Sequence, residues 1–413
     1  MSGASERGAA PAAGGGPPAP FDGVFAGRRV LVTGDTGFKG SWLCSWLLSL
    51  GAEVFGYALR PPTEPSLWEL TGLAREVAHV AGDVRDLARL NDTVSAVAPE
   101  IVFHLAAQPL VRASYADPRL TLETNVLGVV NLLEAVRACP AVRVVLNVTT
   151  DKVYENHETT AGYAETDPLG GHDPYSASKA CSELVSESYR RSFLEREGRV
   201  ALATARAGNV LGGGDWGEDR LVPDCVRAVS LGRPVEVRHP EAVRPWQHVL
   251  EPLSGYLWLG ARLWQAEAGG TQTGEPGRGD ERPAAAALAG PWNFGPGDDA
   301  LVAVADVVTL FLAAYGAGEW TVAEDDGEQP HEAGLLVLDC AKAREVLGWQ
   351  AVWDLRSAVL RAAAWYRAWA AGADDLRTRL DRDIADFTHL AAGLRLPWAL
   401  GSTAERPGAG GTT

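Results

Sequence analysis

Two stretches of this 413-residue chain carry side chains whose types and spacing could move protons. Tyr175 and Lys179 stand four apart in a segment, Pro174 to about Glu197, whose pattern predicts a helix, so both lie on one face. A lysine ammonium beside a tyrosine stabilises the phenolate and lowers its pKa from about 10. Such a tyrosine can take a hydroxyl proton while a hydride leaves the same carbon. Alone, the spacing is met as well by a solvated lysine beside a half-buried tyrosine. Thr150, Asp151 and Lys152 follow a predicted strand, Val142–Val148. In a doubly wound sheet ligands bind beyond the strand carboxyl ends. Three consecutive residues there that donate, accept and shuttle protons imply more than one proton transfer; a turn capped by Thr and Asp is the other reading.

The element that must position these groups is Arg28–Gly40. Val30, Leu31 and Val32 form a short apolar, β-branched run, the mark of a buried strand. Gly34, Gly37 and Gly40 follow at three-residue spacing, and then Trp42, Leu43, Trp46, Leu47 and Leu50 make a helical stripe ended by Gly51. Strand, glycine turn and helix in that order suit a pyrophosphate, because a helix N-terminus offers unpaired N–H groups and partial positive charge. Gly34 permits the sharp turn, Gly37 the approach of phosphate, and Gly40 close packing of helix on strand.

Further strands are predicted at Glu53–Tyr57, His79–Ala81, Ile101–Leu105 and Val200–Arg206, with helices at Asp86–Val97 and Pro118–Ala138. The alternation predicts an α/β fold: a doubly wound parallel sheet of Rossmann type, with a smaller C-terminal α/β substrate-binding domain. The expected division is a disordered tail (1–27), a dinucleotide-binding domain (28–206, with later segments returning to it), a mainly substrate-binding domain (207–393), and a tail (394–413). Residues 267–290, rich in Gly, Ala, Thr and Glu, read as a flexible insertion, and Leu355–Ala370 as the final amphipathic helix. At the end of the second strand, where an acid selects NAD and a base tolerates NADP, the chain offers only Arg60, which leaves the choice open.

A formal charge of −16 argues against nucleic acid or an anionic membrane as partner, and makes the individual arginines that could hold an anionic ligand informative. The five cysteines are scattered without metal spacing, so no metal site is expected, and no apolar run is long enough to span a membrane. Residues 1–20 lack the apolar core of a signal peptide. The expectation is a soluble cytoplasmic protein.

Taken together, Thr33–Gly40, Thr149–Tyr154, Asp173–Lys179, Arg206–Asp219 and Arg244–Leu257 resemble the extended short-chain dehydrogenase/reductase superfamily, and within it the CDP-glucose 4,6-dehydratases. The resemblance runs from about Arg28 to about Ala370. It rests on Gly-Phe-Lys-Gly-Ser-Trp-Leu after the first turn, Thr-Thr-Asp-Lys-Val-Tyr-Glu-Asn, Gly-Gly-Gly-Asp-Trp and Arg-Pro-Trp-Gln-His-Val. Related dTDP-glucose and GDP-mannose dehydratases are expected to carry Asp-Glu where this chain has Asp151-Lys152. The resemblance implies a hydro-lyase that converts CDP-glucose to CDP-4-keto-6-deoxyglucose. Tyr175 would take the 4-hydroxyl proton as hydride passes from C4 to the nicotinamide, Thr150 would hold that hydroxyl, and Lys179 would hold the ribose and tune Tyr175. Asp151 and Lys152 would remove water across C5–C6 before the hydride returns to C6. A solvated lysine is protonated at neutral pH, so Lys152 acts as a base only if desolvated or set beside another cation; otherwise it stabilises the enolate.

By the same resemblance NAD (NADP is not excluded) would lie against Gly34, Thr36, Gly37, Phe38 and Lys39. Arg60, Asp83 and Val84 would take its adenosine end. Leu105, Ala106, Ala107, Gln108, Asn125, Thr149, Tyr175 and Lys179 would lie further along it. A CDP-sugar would meet Gln108, Asn209, Arg220, Leu221, Val222, Arg244, His248 and Asn293. Where the family has His in the first turn this chain has Asp35, a carboxylate expected close to the pyrophosphate. Related proteins pair through the helices predicted at Pro118–Ala138 and Pro174–Glu197, which implies a dimer or tetramer. A 4-epimerase or reductase of the same superfamily, which needs no strand-end acid/base pair, and a non-catalytic dinucleotide-binding regulator are the alternatives.

Overall fold

A computed structural model describes residues 19–159, 161–269, 283–297, 301–323 and 335–401. Strand β1 (Arg29–Thr33) leads through the glycine turn into α1 (Phe38–Ser49), then β2 (Glu53–Ala58), a short α2 (Leu67–Leu70), β3 (Ala78–Ala81) and α3 (Leu87–Val97). Next come β4 (Ile101–His104), α4 (Val111–Ala116), α5 (Pro118–Leu122), α6 (Gly128–Ala138), β5 (Val144–Val148), α7 (Pro174–Tyr189) and β6 (Ala201–Ala207). The second part adds β7 (Val210–Leu211), β8 (Val235–Val237), β9 (Val243–Pro245), β10 (Gln247–His248), β11 (Gly290–Phe294), β12 (Leu301–Ala303) and β13 (Trp320–Val322).

The main sheet is parallel and seven-stranded, in the order β11-β6-β5-β4-β1-β2-β3. Chain order reverses between β1 and β4, and there the strand ends open a crevice. The strands are near-continuous apolar runs because helices cover both faces. Period-2 alternation divides their side chains: Val30, Val32, Ile101, Phe103, Val144 and Leu146 enter the core under α1 and the C-terminal helices. Leu31, Val102, Val145 and Leu202 meet Leu90, Val94, Leu132 and Val136 of α3 and α6. The small ladders β10·β7, β12·β9 and β13·β8 carry the substrate-side portion.

Several expectations need correction. The two long helices are each broken by a π-helical turn, Glu123–Leu127 after α5 and Arg190–Leu194 after α7, which the apolar spacing does not reveal. The tail does not extend to residue 27: Phe21 and Phe25 are buried, and Phe21 stacks on Trp398 at 5.1 Å and meets Trp46 edge-on at 5.6 Å. Nor does the C-terminal tail begin at 394, since Leu396 and Trp398 are buried. Leu355–Ala370 is followed by a further helix, Leu376–Gly393, whose Leu380, Ile384 and Phe387 are buried. The 267–290 segment begins inside a helix, Leu250–Gly269, contains another, Pro283–Leu288, and ends at the first residue of β11; residues 270–282 lie outside those described.

Phe21 thus clasps the two ends of the chain over α1. Phe21→Ala should destabilise the protein by about 3–5 kcal/mol, read as a lowered urea midpoint.

Candidate active site

The glycine turn is fixed by close approach. Gly34 has φ +76°, and a Cβ there would lie 2.8 Å from the Ala106 nitrogen. At Gly40 a Cβ would fall 2.1 Å from the Gly34 oxygen, so α1 could not sit so close to the turn. The helix starts at Gly37, which offers no side-chain cap. Its first N–H groups are therefore unclaimed by a capping side chain and lie at the cleft, as an anion requires. Thr36 Oγ1 donates to Leu59 O at 3.0 Å and ties the turn to the end of β2.

The cleft above the strand ends has a volume of about 1620 Å³. A pocket for one drug-sized ligand holds roughly 300–1,000 Å³, so this one accommodates two ligands side by side. Gly34, Thr36, Gly37, Phe38, Lys39, Arg60, Asp83, Val84, Leu105, Ala106, Ala107 and Gln108 line one part of it, and Thr149, Thr150, Asp151, Lys152, Tyr175 and Lys179 its centre. Asn209, Arg220, Leu221, Val222, Pro223 and Arg244 line the other side. These residues fit a dinucleotide: an open helix N-terminus, small residues after β4, and Asp83 held by Arg85 Nη2 at 2.6 Å, which keeps its carboxyl below the usual range.

Three expected contacts are corrected. His248 lies outside the cleft lining, fully buried between Trp42 (5.5 Å) and Trp353 (4.8 Å), its Nδ1 accepting from Leu250 N. Burial lowers its pKa to about 3, so it is a neutral core histidine. Asn293 is also outside: its Nδ2 donates to Tyr163 O and Asp339 O, and its Oδ1 accepts from Tyr154. Asn125 sits in the π turn after α5 and clamps the Gln108 backbone in both directions while bonding Ser178. It supports the loop and does not line the cleft.

The centre converges. Thr150 Oγ1 donates to Asp151 Oδ1 at 2.9 Å, and the Thr150 hydroxyl and the Lys152 ammonium both favour the Tyr175 phenolate; Lys152 Nζ lies 3.6 Å from Asp151 Oδ1. The Asp151 charge, resisted by burial, raises the Lys152 pKa, so Lys152 is an ammonium in the free protein. Burial raises the Tyr175 pKa against the opposing effects of Lys152 and Thr150. Lys179 shares the helix face of Tyr175, but its Nζ donates to Val148 O at 3.1 Å, and burial lowers it to about 8. Among the cations, Lys152 and then Arg220 favour the phenolate here. Lys39 is likewise lowered to about 8, chiefly by burial and then by Arg220 and Lys179. Arg220 is held to Asp215 at 2.9 Å.

Sequence reasoning missed the group beneath this cluster. Glu183 is buried, takes Arg206 Nη2 at 3.0 Å, and accepts from Thr149 and Thr204. Arg206 also donates to Tyr154 at 2.7 Å. Its signal was there: Glu183 falls four residues after Lys179 and eight after Tyr175, on one helical stripe.

The fold and crevice define a dinucleotide-dependent enzyme of the short-chain dehydrogenase/reductase type. Comparison with known proteins narrows the class. The GDP-mannose 4,6 dehydratase family matches residues 31–263. A CDP-glucose 4,6-dehydratase from Salmonella typhimurium is 45% identical over 370 residues, 88% of this chain and 97% of that protein. A dTDP-glucose 4,6-dehydratase from Streptomyces antibioticus is 31% identical, over 82% of this chain and 92% of that one. Among solved structures, DesIV, a dTDP-glucose 4,6-dehydratase from Streptomyces venezuelae with NAD and TYD bound, has a TM-score of 0.67 at 24% identity, covering 84% of this chain and 99% of that one. A Thermus thermophilus UDP-glucose 4-epimerase in complex with NAD has a TM-score of 0.64 at 26% identity, covering 82% and 99%. The chain belongs to the NAD-dependent sugar-nucleotide 4,6-dehydratase family, whose members are hydro-lyases. Among the described residues no cluster could hold a metal ion, and no helix is long and apolar enough to cross a membrane.

Removing Glu183 would strand Arg206 in the interior. Glu183→Ala should cost about 3–5 kcal/mol, measured by thermal or denaturant unfolding.

Proposed function

We propose that the protein converts CDP-glucose to CDP-4-keto-6-deoxyglucose and water. The observation that carries this reading is the Asp151–Lys152 pair, with Thr150 bonded to Asp151, in the same cleft as Tyr175 at the carboxyl end of β5. The 45% identical relative supports cytidine as the nucleotide. When bound, NAD supplies the hydride acceptor at C4 and the donor at C6. Tyr175 takes the proton of the 4-hydroxyl, which Thr150 holds. The 4-keto group acidifies C5–H; Lys152 takes that proton while Asp151 protonates the leaving 6-oxygen. Lys152 then returns its proton to C5. The count leaves Tyr175 with one proton too many and Asp151 with one too few. Thr150 Oγ1, bonded to Asp151, is assigned as the bridge by which the surplus returns once the substrate hydroxyl lies between it and Tyr175. Arg220 and Arg244 take the diphosphate, as planar guanidinium groups suit phosphate, and Leu221, Val222 and Pro223 face the base.

The cleft lies in a chain whose five cysteines are free, which fits a reducing cytoplasm. Leu122, Leu127 and Leu184 are 43%, 53% and 58% exposed along the helices on which pairing is expected, and self-association is assigned to that face.

CDP-, dTDP-, GDP- and UDP-glucose assayed side by side should give the alkali-absorbing 4-keto product fastest with the CDP-sugar; turnover of another nucleotide alone would overturn the assignment. Asp151→Asn and Lys152→Ala should each lower that rate by about 10²–10⁴. An epimerase would keep its rate in both.

A further inference from the structure

Asp35 sits inside the glycine turn, yet its carboxylate does not face the cleft, contrary to the sequence expectation. The side chain is fully buried, and His79 Nδ1, on β3, donates to its Oδ2 at 2.7 Å. Gly56 of β2 makes the room: a Cβ there would lie 1.9 Å from that oxygen. Oδ1 is buried without a hydrogen-bond partner among the described residues. The main-chain oxygen of the same residue accepts from Ser41 Oγ of α1 at 3.1 Å. The turn is therefore wired at one residue to both α1 and β3.

The groups that face this couple are few in kind. From α1 comes the Cys44 thiol, which burial and then the Asp35 charge push well up, so it stays neutral. From α2 comes the uncharged Trp68 ring, 5.6 Å from the imidazole. Burial raises the Asp35 carboxyl against the pull of His79, and the hydrogen bond to Asp35 raises His79. Two groups coupled this closely titrate as one unit, so which of them holds the proton does not matter to the net charge.

We propose that Asp35 and His79 form a proton-linked positioning couple for the cofactor's pyrophosphate. With the shared proton in place the couple is neutral, and the turn's N–H groups meet the anion unopposed. With the proton lost, a net negative charge is buried behind the same turn. Cofactor affinity then falls as pH rises through the couple's titration. By linkage, binding the anion draws a proton onto the couple. The proposal rests on the reading of Gly34–Phe38 as the cofactor turn.

Calorimetric titration of NAD into the full chain freed of nucleotide, from about pH 6 to about pH 8 in buffers of different ionisation enthalpy, tests this. The wild type should take up protons on binding and lose about tenfold in affinity across the range. Asp35→Asn should remove the couple's share of the uptake and bind more tightly than wild type at the alkaline end. His79→Gln should still lose affinity as pH rises, and the double variant should bind more tightly than it at the alkaline end. Lys39 and Lys179, lowered to about 8 by burial, titrate with the same sign in every variant, so the differences isolate the couple. Melting temperatures taken alongside separate a folding defect, which would weaken binding without altering the proton count. Unchanged uptake in Asp35→Asn, or a double variant no tighter than His79→Gln, would overturn the proposal. A wild-type chain that binds neither NAD nor NADP would overturn the cofactor reading and the proposal with it.

Discussion

The buried pair Glu183–Arg206 is the constraint on which the site's geometry depends. Neither charge is tolerable alone in the interior, so each must find the other and a full set of hydrogen bonds. Glu183 does so by accepting from Thr149 at the end of β5 and Thr204 in β6, and Arg206 by reaching Tyr154. These bonds lock α7 to two strand ends. Because α7 carries Tyr175 and Lys179, and Thr149 precedes the trio 150–152, one buried pair brings both proton-handling stretches to a common point. Removing one partner would leave the other charged and unpaired in the interior, and removing both would take away the bonds that hold α7 against the two strand ends.

The parts of this arrangement legible in the sequence are those set by local chemistry. The turn at Gly34, the buried run Val30–Val32 and the spacing of Tyr175 and Lys179 each have a short-range cause, and all appear where expected. The illegible parts are those decided by partners distant in the chain. His248 shares the Arg-Pro-Trp-Gln-His-Val motif with the cleft residue Arg244, but the indoles of Trp42 and Trp353 enclose it. Asn293 was lost in the same way to Tyr154 and Tyr163. Phe21 reads as tail because its composition is tail-like on one side; only Trp46 and Trp398 show that it belongs to the core. The π turns add one residue to a helix without changing which residues are apolar, so periodicity cannot detect them.

An acidic chain of net charge −16 gathers its cations where anions must enter. Lys39, Lys152, Lys179, Arg220 and Arg244 all line one cleft. Their mutual repulsion and burial have a cost, visible in the lowered Lys39 and Lys179, and that cost is relieved when diphosphates arrive. The site is thus organised for ligands carrying several negative charges, and the surrounding acidity discourages adventitious polyanions.

Why a lysine should stand beside the acid follows from the same electrostatics. In the free protein Asp151 keeps Lys152 charged, and the two form an ion pair 3.6 Å apart. An ion pair is favoured by water, and loses that support when a substrate fills the cleft and excludes solvent. One proton shifted from Lys152 to Asp151 turns the charged pair into a neutral one, with no proton taken from outside. In the proposed reaction that single shift would supply both species that elimination needs: an amine to take C5–H and a carboxylic acid to protonate the 6-oxygen. Two adjacent carboxylates could not do this internally, because arming one as acid requires a proton from elsewhere. In the proposed reaction Lys152 would thereby be an ammonium in the free protein and a base once substrate fills the cleft, which is how the difficulty of its ordinary pKa would be met.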